Sequence, residues 1–462
     1  MTTSHTPDNP APPPGCPAHA GSDALAPPRI HGSAPVTDRA LHNQGGPVVR
    51  VRVPGDVEAW LVGGYDEALH VLRSPHQFVC DSRVGRVYRE NLLSADSPLR
   101  PMTQWAPLLA FADGAEHARL RRAVAESLEQ LSRHNMRRYI RHYAKQLLAA
   151  FEDRGRADLI ADYAAPLPVL VMNHLLGLPP EMGPKLGQAV ADSMSGKSNA
   201  ADANDFVVRT MEDLARSKWS ARTSDAKVID FTSLLIRHPE QLTFEEVVQH
   251  LRLTLATSCT PTTGLIGSAL GEILTDRKFS ADVRRGQITM SEALNRVLWN
   301  HPPLALLPTR WAVGDTELGG QHIRAGDLVV LDFGAANRDP SKRGPNLELP
   351  VDHNEGHLAF SAGPHECPGR DIGRAIAETA VDVLLERVED LELTVEAEEL
   401  ARIEAFISRP LAALPVAFTP PRAAPRHNRR PVPQATVTQT PEPGPAEDAG
   451  TRRSSRRLER RR

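Results

Sequence analysis

The spacing of apolar residues changes along the chain, and two regions have the pattern of β-strands. Residues 49–53 alternate apolar and basic side chains, and residues 59–62 form a second short run of strand type. Pro54 and Gly55 lie between the two runs and favour a turn, so this region predicts a β-hairpin. Residues 310–330 similarly predict short strands that are separated by tight glycine turns.

Other stretches have apolar residues at helical spacing. Residues 65–72 and 166–179 predict helices, and the second stretch ends at a Gly and a Pro, which stop helices. Residues 251–274 predict a long and largely buried helix, and residues 370–385 predict another. The pattern as a whole predicts a mostly α-helical chain with small β-sheets, which is an α+β fold.

Composition changes at both ends of the 462-residue chain, which contains 40 prolines. Residues 1–45 are rich in Pro and Ala without periodicity and predict a disordered arm. Residues 420–462 carry eleven Arg against four acidic residues, a net charge of +7, whereas the whole chain carries −3 and the remainder therefore −10. This predicted disordered tail either is simply solvated or contacts an acidic protein or an anionic membrane. Residues 46–419 are expected to form one domain.

Cysteine usage and hydropathy indicate the compartment. The four cysteines, Cys16, Cys80, Cys259 and Cys367, are too widely spaced for a disulfide framework, which favours a reducing cytoplasm. No run approaches the roughly 18–20 apolar residues of a membrane span, and the first residues lack the apolar segment of a secretory signal. We therefore expect a cytoplasmic protein.

One of these cysteines, Cys367, lies in a Gly- and Pro-rich loop directly before the predicted helix of residues 370–385. A thiol at a helix N-terminus lies in a positive field beside free backbone N–H groups, which favours the thiolate. One cysteine cannot complete a zinc site or an iron–sulfur cluster, whereas one thiolate is sufficient as the axial ligand of a haem. The alternative is a structural cysteine that is buried in the loop.

The loop resembles the cysteine-ligand loop of cytochromes P450, F-G-x-G-x-H-x-C-x-G. The matching residues are Phe360, Gly363, His365, Cys367 and Gly369. Ser361 stands where the family has its first glycine. The resemblance covers about residues 48–416 and implies a single haem domain of the P450 fold. It implies that Cys367 binds the iron of haem b, with Phe360, His365 and Gly369 completing the cofactor site.

Basic residues elsewhere are similar to the family's haem-propionate ligands. His117 and Arg121 are four residues apart and share one face of a predicted helix. Arg offers a carboxylate a bidentate fork, and the resemblance assigns His117, Arg121, Arg310 and His365 to the propionates. The alternatives are a solvated basic helix face for the first pair and a solvated strand end for Arg310.

The predicted long helix departs from the family at its acid–threonine motif, because Thr260 replaces the acid and Pro261 replaces the first threonine. Proline removes one backbone donor and kinks a helix. We expect the freed carbonyl and the hydroxyls of Thr260 and Thr262 to order water on a proton path to the catalytic centre. The alternative is that these hydroxyls only bond back to the helix.

A second departure concerns the family's Glu-x-x-Arg motif, whose positions are Arg296 and Trp299 in this chain. The third partner, an Arg before His357, is also absent. Removing one member of a buried ion pair costs about 3–5 kcal/mol, whereas replacing the whole set with packed groups can be neutral. We therefore expect Trp299 to fill the space with apolar area and Arg296 to pair with Glu292. The pattern resembles an atypical subgroup of actinomycete P450s without this motif.

The resemblance implies a haem-thiolate monooxygenase that inserts one oxygen atom from O2 into a small organic substrate. It also implies electrons from a ferredoxin and a ferredoxin reductase. The altered motifs leave two alternatives, a haem-thiolate protein that senses or regulates and an enzyme that uses peroxide. We expect no nucleic acid as a partner, because the basic charge lies outside the folded body.

Overall fold

The computed structural model describes most of the chain between residues 27 and 420. The described residues are 27–30, 36–94, 97, 99–131, 133–193, 199–220, 229–343 and 354–420. Most of the expected N-terminal arm and the expected basic tail after residue 420 lie outside the described residues. Among the described helices, none combines the length and the apolar character that crossing a membrane requires.

Helices form the larger part of the described structure. In chain order they are α1 (Val36–Gln44), α2 (Tyr65–Arg73), α3 (Arg86–Arg89), α4 (Arg100–Thr103), α5 (Gly114–Gln130), α6 (Arg133–Ala149), α7 (Pro166–Leu176), α8 (Gly183–Ser193), α9 (Ala200–Trp219), α10 (Phe231–Arg237), α11 (Phe244–Thr275), α12 (Arg277–Arg284), α13 (Met290–Asn300), α14 (Phe333–Asn337), α15 (Pro340–Arg343) and α16 (Arg370–Arg387). The predicted helices at 65–72, 166–179, 251–274 and 370–385 are α2, α7, α11 and α16, and all four are confirmed.

The strands are short and form three small sheets in the described chain. They are β1 (Val48–Val53), β2 (Val57–Val62), β3 (Phe78–Val79), β4 (Arg156–Asp158), β5 (Leu306–Ala312), β6 (Thr316–Leu318), β7 (Gln321–Ile323), β8 (Leu328–Asp332), β9 (Glu389–Leu393) and β10 (Pro415–Thr419). The largest sheet has the order β1-β2-β8-β5-β3, a second has the order β4-β10-β9, and β6 pairs with β7. The predicted mostly α fold with small sheets is therefore confirmed.

The predicted hairpin is the pair of strands β1 and β2, which are antiparallel from Val48 opposite Val62 to Val53 opposite Val57. Gly55 and Asp56 close the turn with φ of 88° and 59°. Glycine adopts such left-handed conformations without steric cost, so its place in the turn follows from the sequence. β2 then pairs in parallel with β8, which places the hairpin at the edge of the largest sheet.

The long helix α11 runs through the largest hydrophobic core. It begins earlier than the apolar pattern predicts, because Thr243 and Glu246 form a capping box that satisfies backbone N–H groups at the helix start. Pro261 lies inside the helix, which continues on both sides of it. Buried side chains of α11, such as Ile266 and Leu270, belong to the same core cluster as those of α16. The helix that follows the Cys367 loop therefore packs directly on α11.

The described part of the expected N-terminal arm, residues 1–45, has regular structure. It contains the helix α1, and beside β1 the N–H of Ile30 donates to the carbonyl of Arg52 while the N–H of Arg52 donates to the carbonyl of Pro28. The hydrogen bonds to the edge of the sheet hold residues 27–30, whose composition alone does not predict regular structure. At the C-terminal end of the domain, β10 pairs with β9 and β4. These partners are distant in sequence and cannot be identified from the local pattern.

Candidate functional site

Two single-turn 3₁₀ segments, Leu358–Phe360 and Gly363–His365, shape the loop that ends at Cys367. The backbone N–H of Cys367 donates to the carbonyl of Phe360 at 2.9 Å, which closes the loop behind the thiol. Gly363 has φ 69° and its α-carbon faces the backbone carbonyl of Leu72 so closely that a Cβ would overlap it. Only glycine fits this position, which explains sterically why the loop pattern has a glycine at residue 363.

The thiol of Cys367 is accessible to solvent and lies at the start of α16, where backbone N–H groups of Gly369 and Arg370 point to it. Burial among the surrounding protein atoms raises the pKa of the thiol, whereas these backbone donors and Arg121 lower it. The helix start therefore favours the thiolate, as the sequence predicts, but desolvation opposes it more strongly. Metal binding requires the thiolate and favours its formation.

Two histidines and two arginines converge beside this loop. The rings of His117, from α5, and His365 lie 3.9 Å apart between centroids. Arg121, one turn after His117, donates to the backbone carbonyl of Glu366. Arg310 of β5 is buried, and among the described residues its hydrogen bonds go to Thr309, with both contacts at 3.0 Å. The four residues predicted to contact propionates thus come together from three distant parts of the sequence.

The charges in this cluster favour the binding of a negatively charged group. The pKa of His117 is lowered to about 4 because its ring is buried and because His365, Arg121 and Arg310 repel a proton on it. Its Nε2 atom is buried and has no hydrogen-bond partner among the described residues. A carboxylate placed here would relieve both costs, since it would supply an acceptor and compensate the repulsion.

Asp113 also belongs to the site, although the sequence analysis does not identify it. It precedes α5, and its carboxylate accepts backbone N–H groups of Cys80 and Asp81, at 2.9 Å each. A carboxylate oxygen also lies 3.6 Å from Nε2 of His365. The ligand atoms of Cys80, Asp113 and His365 lie within 4.8 Å of one another, but burial raises the pKa of the Cys80 thiol to about 12. Asp113 therefore orients His365 beside a neutral thiol.

The predicted catalytic threonines lie on α11 around Pro261. Thr262 is buried, and its Oγ1 would be 3.7 Å from a Cβ on Gly373 of α16, so it faces the helix that carries the Cys367 loop. Its neighbours Ser258 and Thr263 donate to the backbone carbonyls of Thr254 and Ala164. Ser258 therefore bonds back to its own helix, as in the alternative of the sequence analysis, whereas Thr263 bonds to a segment outside α11.

No family model matches the chain, but individual proteins do. The cytochrome P450 monooxygenase PikC of Streptomyces venezuelae is 30% identical over 394 residues, which are 82% of this chain and 90% of that protein. The chain belongs to the cytochrome P450 family. A second P450 relative, the 2-hydroxy-5-methyl-1-naphthoate 7-hydroxylase of Streptomyces carzinostaticus, is also 30% identical, over 82% of this chain and 94% of that protein.

Solved P450 structures agree with this assignment. CYP154C4 from Streptomyces sp. W2061 superposes with a TM-score of 0.76 at 26% identity, covering 85% of this chain and 98% of that one. The P450 fold expected from the Cys367 loop is confirmed, and the relatives are monooxygenases and hydroxylases. The chain is accordingly a haem-dependent oxidoreductase that incorporates oxygen, as the sequence analysis predicts.

The described residues fit a haem at this place. Cys367 offers one accessible sulfur atom, and the unpartnered Nε2 of His117 lies with Arg121 and Arg310 where carboxylates are needed. These side chains suit a cofactor whose metal accepts one soft ligand and which also carries carboxylates.

The residues at the Glu-x-x-Arg positions of this P450 have other partners than the sequence analysis expects. Arg296 pairs with Glu272 at 3.3 Å and with Asp276 at 2.7 Å, whereas Glu292 caps α13 together with Thr289. Trp299 is buried as expected, but its indole Nε1 also donates to the carbonyl of Asn354 at 2.7 Å. The apolar ring of Trp299 is therefore buried as expected, and its indole N–H adds a hydrogen bond that the sequence does not predict.

Proposed function

We propose that this P450 binds haem b through Cys367 and inserts one oxygen atom from O2 into a small organic substrate. The observation that carries the proposal is the accessible Cys367 thiol beside a cluster of basic side chains, of which His117 and Arg310 are buried. Bound as thiolate, the sulfur donates electron density to the iron and favours cleavage of the O–O bond. The wide spacing of the cysteines supports a cytoplasmic location.

Four side chains hold the cofactor's carboxylates in this proposal. Arg121 and Arg310 supply forked guanidinium donors from α5 and β5, and His117 donates through its buried Nε2. His365 is held by Asp113 and completes the set. Phe360 and Gly369 act through the backbone, since the Phe360 carbonyl accepts the N–H of Cys367 and Gly369 lies at the start of α16.

Thr260 and Thr262 are the proposed proton-handling residues. Proline at 261 has no N–H, so it leaves the carbonyl one turn earlier, that of Thr257, without its helical donor. That carbonyl and the two hydroxyls supply acceptors and donors for a chain of water molecules. The test is the ratio of product formed to oxygen consumed in Thr260→Ala and Thr262→Ala. Unchanged coupling in both variants would contradict this role.

Electrons come from a ferredoxin that a ferredoxin reductase reduces, in keeping with the bacterial relatives. Product formation under three conditions tests this choice, namely with ferredoxin, reductase and NADPH, with peroxide alone, and with neither. We expect product in the first condition. Product with peroxide alone would favour a peroxide-using enzyme, and no product in any condition across a substrate panel would favour a sensing role.

The haem ligand is tested by Cys367→Ser. We expect the wild-type protein to give the reduced carbon monoxide spectrum of a thiolate-ligated haem and the variant to lose it. Cys259→Ser is the matched control, because Cys259 is also a free cysteine but is buried on α11. A thiolate-type spectrum that survives Cys367→Ser would overturn the proposal.

A further inference from the structure

We propose that Trp299 and Asn295 position the haem-ligand loop by donating neutral hydrogen bonds to one backbone carbonyl, that of Asn354. The inference rests on the proposed function, since it concerns the loop through which Cys367 holds the iron. It assigns Trp299 and Asn295 as positioning residues that act through the loop backbone and do not touch the reacting atoms.

Both donors come from α13 and reach the same acceptor. Trp299 Nε1 and Asn295 Nδ2 each lie 2.7 Å from the carbonyl oxygen of Asn354. The two side chains are 2% and 4% exposed, whereas Asn354 itself is at the surface. Residues four apart on a helix share one face, so α13 presents two buried donors to one carbonyl of a surface segment.

The segment after Asn354 is also tied down by uncharged groups. The side chain of Asn354 accepts the N–H of Gly356 at 2.9 Å, and the hydroxyl of Tyr65 donates to the carbonyl of Gly356 at 2.5 Å. The N–H of Leu358 then donates to Asn337 at 2.8 Å. The Asn337 amide in turn donates to the carbonyl of Leu298 at 3.2 Å, so the far end of the segment is tied to α13 as well.

A short path connects this segment to the ligand residue. The rings of Trp299 and His357 meet edge to face at 6.1 Å, and those of His357 and Phe360 lie 5.9 Å apart. The carbonyl of Phe360 accepts the N–H of Cys367. In this proposal a displacement of Asn354 moves these three rings and the Phe360 carbonyl that accepts the N–H of Cys367.

The charged residue of this part of α13 does not take part. Arg296 turns to the end of α11, where it contacts Glu272 and Asp276 and lies 4.3 Å from the ring centroid of Phe279. The contacts from α13 to the loop segment are therefore uncharged. When one of two donors to a shared carbonyl is removed, the carbonyl keeps its other hydrogen bond, so the expected effect is a looser segment and not an unsatisfied acceptor.

The test compares Trp299→Phe with Trp60→Phe in the haem-loaded protein. Each variant removes one indole N–H bond, since Trp60 Nε1 donates to Asp327 at 3.0 Å in the sheet region. Both are expected to lower the thermal midpoint. Only Trp299→Phe is expected to convert part of the reduced carbon monoxide complex from the thiolate to the thiol form. It should also raise backbone hydrogen exchange in residues 354–369 by about fivefold or more.

Asn295→Ala removes the second donor and is the substitute if Trp299→Phe fails to fold. Equal spectra and equal loop exchange in the variants of residues 299 and 60 would overturn the inference and would assign Trp299 a packing role only. A wild-type protein without any thiolate-type spectrum would instead contradict the proposed function. The two failures are therefore distinguishable in the same set of samples.

Discussion

At the scale of single residues, the clearest departure from a standard backbone is Ser361. It has φ 64° and ψ −167°, a region that only glycine enters at low cost, and other residues there cost about 1–3 kcal/mol. Its buried hydroxyl has no partner among the described residues. The residue stands where the P450 pattern has glycine, so the chain tolerates backbone strain within the loop that ends at Cys367.

Ser361→Gly is expected to raise the free energy of unfolding by about 1 kcal/mol, because relief of the backbone strain exceeds the entropy that glycine adds to the unfolded chain. Urea unfolding monitors the change. Ser361→Ala removes the same hydroxyl and keeps the Cβ, so the difference between the two variants isolates the backbone term. If the Gly variant were no more stable to urea than the Ala variant, the strain at residue 361 would be refuted.

At the scale of elements, the residues at and beside the Glu-x-x-Arg positions give α13 two separate sets of contacts. Arg296 ties α13 to the C-terminal end of α11, where burial raises the pKa of Glu272 and Arg296 opposes that rise. Trp299 and Asn295 tie the other part of α13 to the loop segment that begins at Asn354. One helix therefore connects the central helix of the core with the haem-ligand loop by two separate sets of contacts.

Arg296→Met is expected to lower the free energy of unfolding by about 2 kcal/mol, below the 3–5 kcal/mol of a fully buried pair because Arg296 is partly exposed. The loss arises because Glu272 remains buried without its cation. The double variant Arg296→Met with Glu272→Gln leaves no buried carboxylate without its cation, because Asp276 is partly exposed, and it should be more stable than the single variant. A double variant that is less stable in urea unfolding would contradict this explanation.

At the scale of the whole molecule, buried histidines couple folding to pH. His357 is 5% exposed, and neither ring nitrogen has a partner among the described residues. Burial lowers its pKa from 6.5 to about 4, and repulsion by Arg370 and Arg374 adds to this. The unfolded chain binds this proton below about pH 6.5 and the folded chain only near pH 4, so stability falls as the pH falls through that range.

This single group is expected to remove about 3 kcal/mol of stability between about pH 7 and about pH 4. Urea unfolding at both pH values measures the loss in the wild-type protein and in His357→Gln. The variant should lose less stability on acidification, whereas His322→Gln, which changes an exposed ring, should behave like the wild type. Equal acid sensitivity of all three proteins would show that His357 does not titrate on unfolding.

Local rules determined much of this protein from sequence alone. Alternation and turn residues identify the first hairpin, helical periodicity identifies α2, α7, α11 and α16, and the Gly-rich spacing around Cys367 identifies a loop whose steric basis appears at Gly363. These features depend on neighbours within a few residues, and short-range sterics and hydrogen bonding decide them. The P450 family follows from the same loop because its residue types are matched to one ligand chemistry.

Only the tertiary structure decided which distant groups meet. Asp113 holds His365, Arg296 turns to Glu272, and Trp299 shares the carbonyl of Asn354 with Asn295. The thiol of Cys367 has a raised pKa although the helix start lowers it. Each outcome depends on desolvation and on partners that are far apart in the chain, and the free energy of burial is set by the packed surroundings and not by the local sequence.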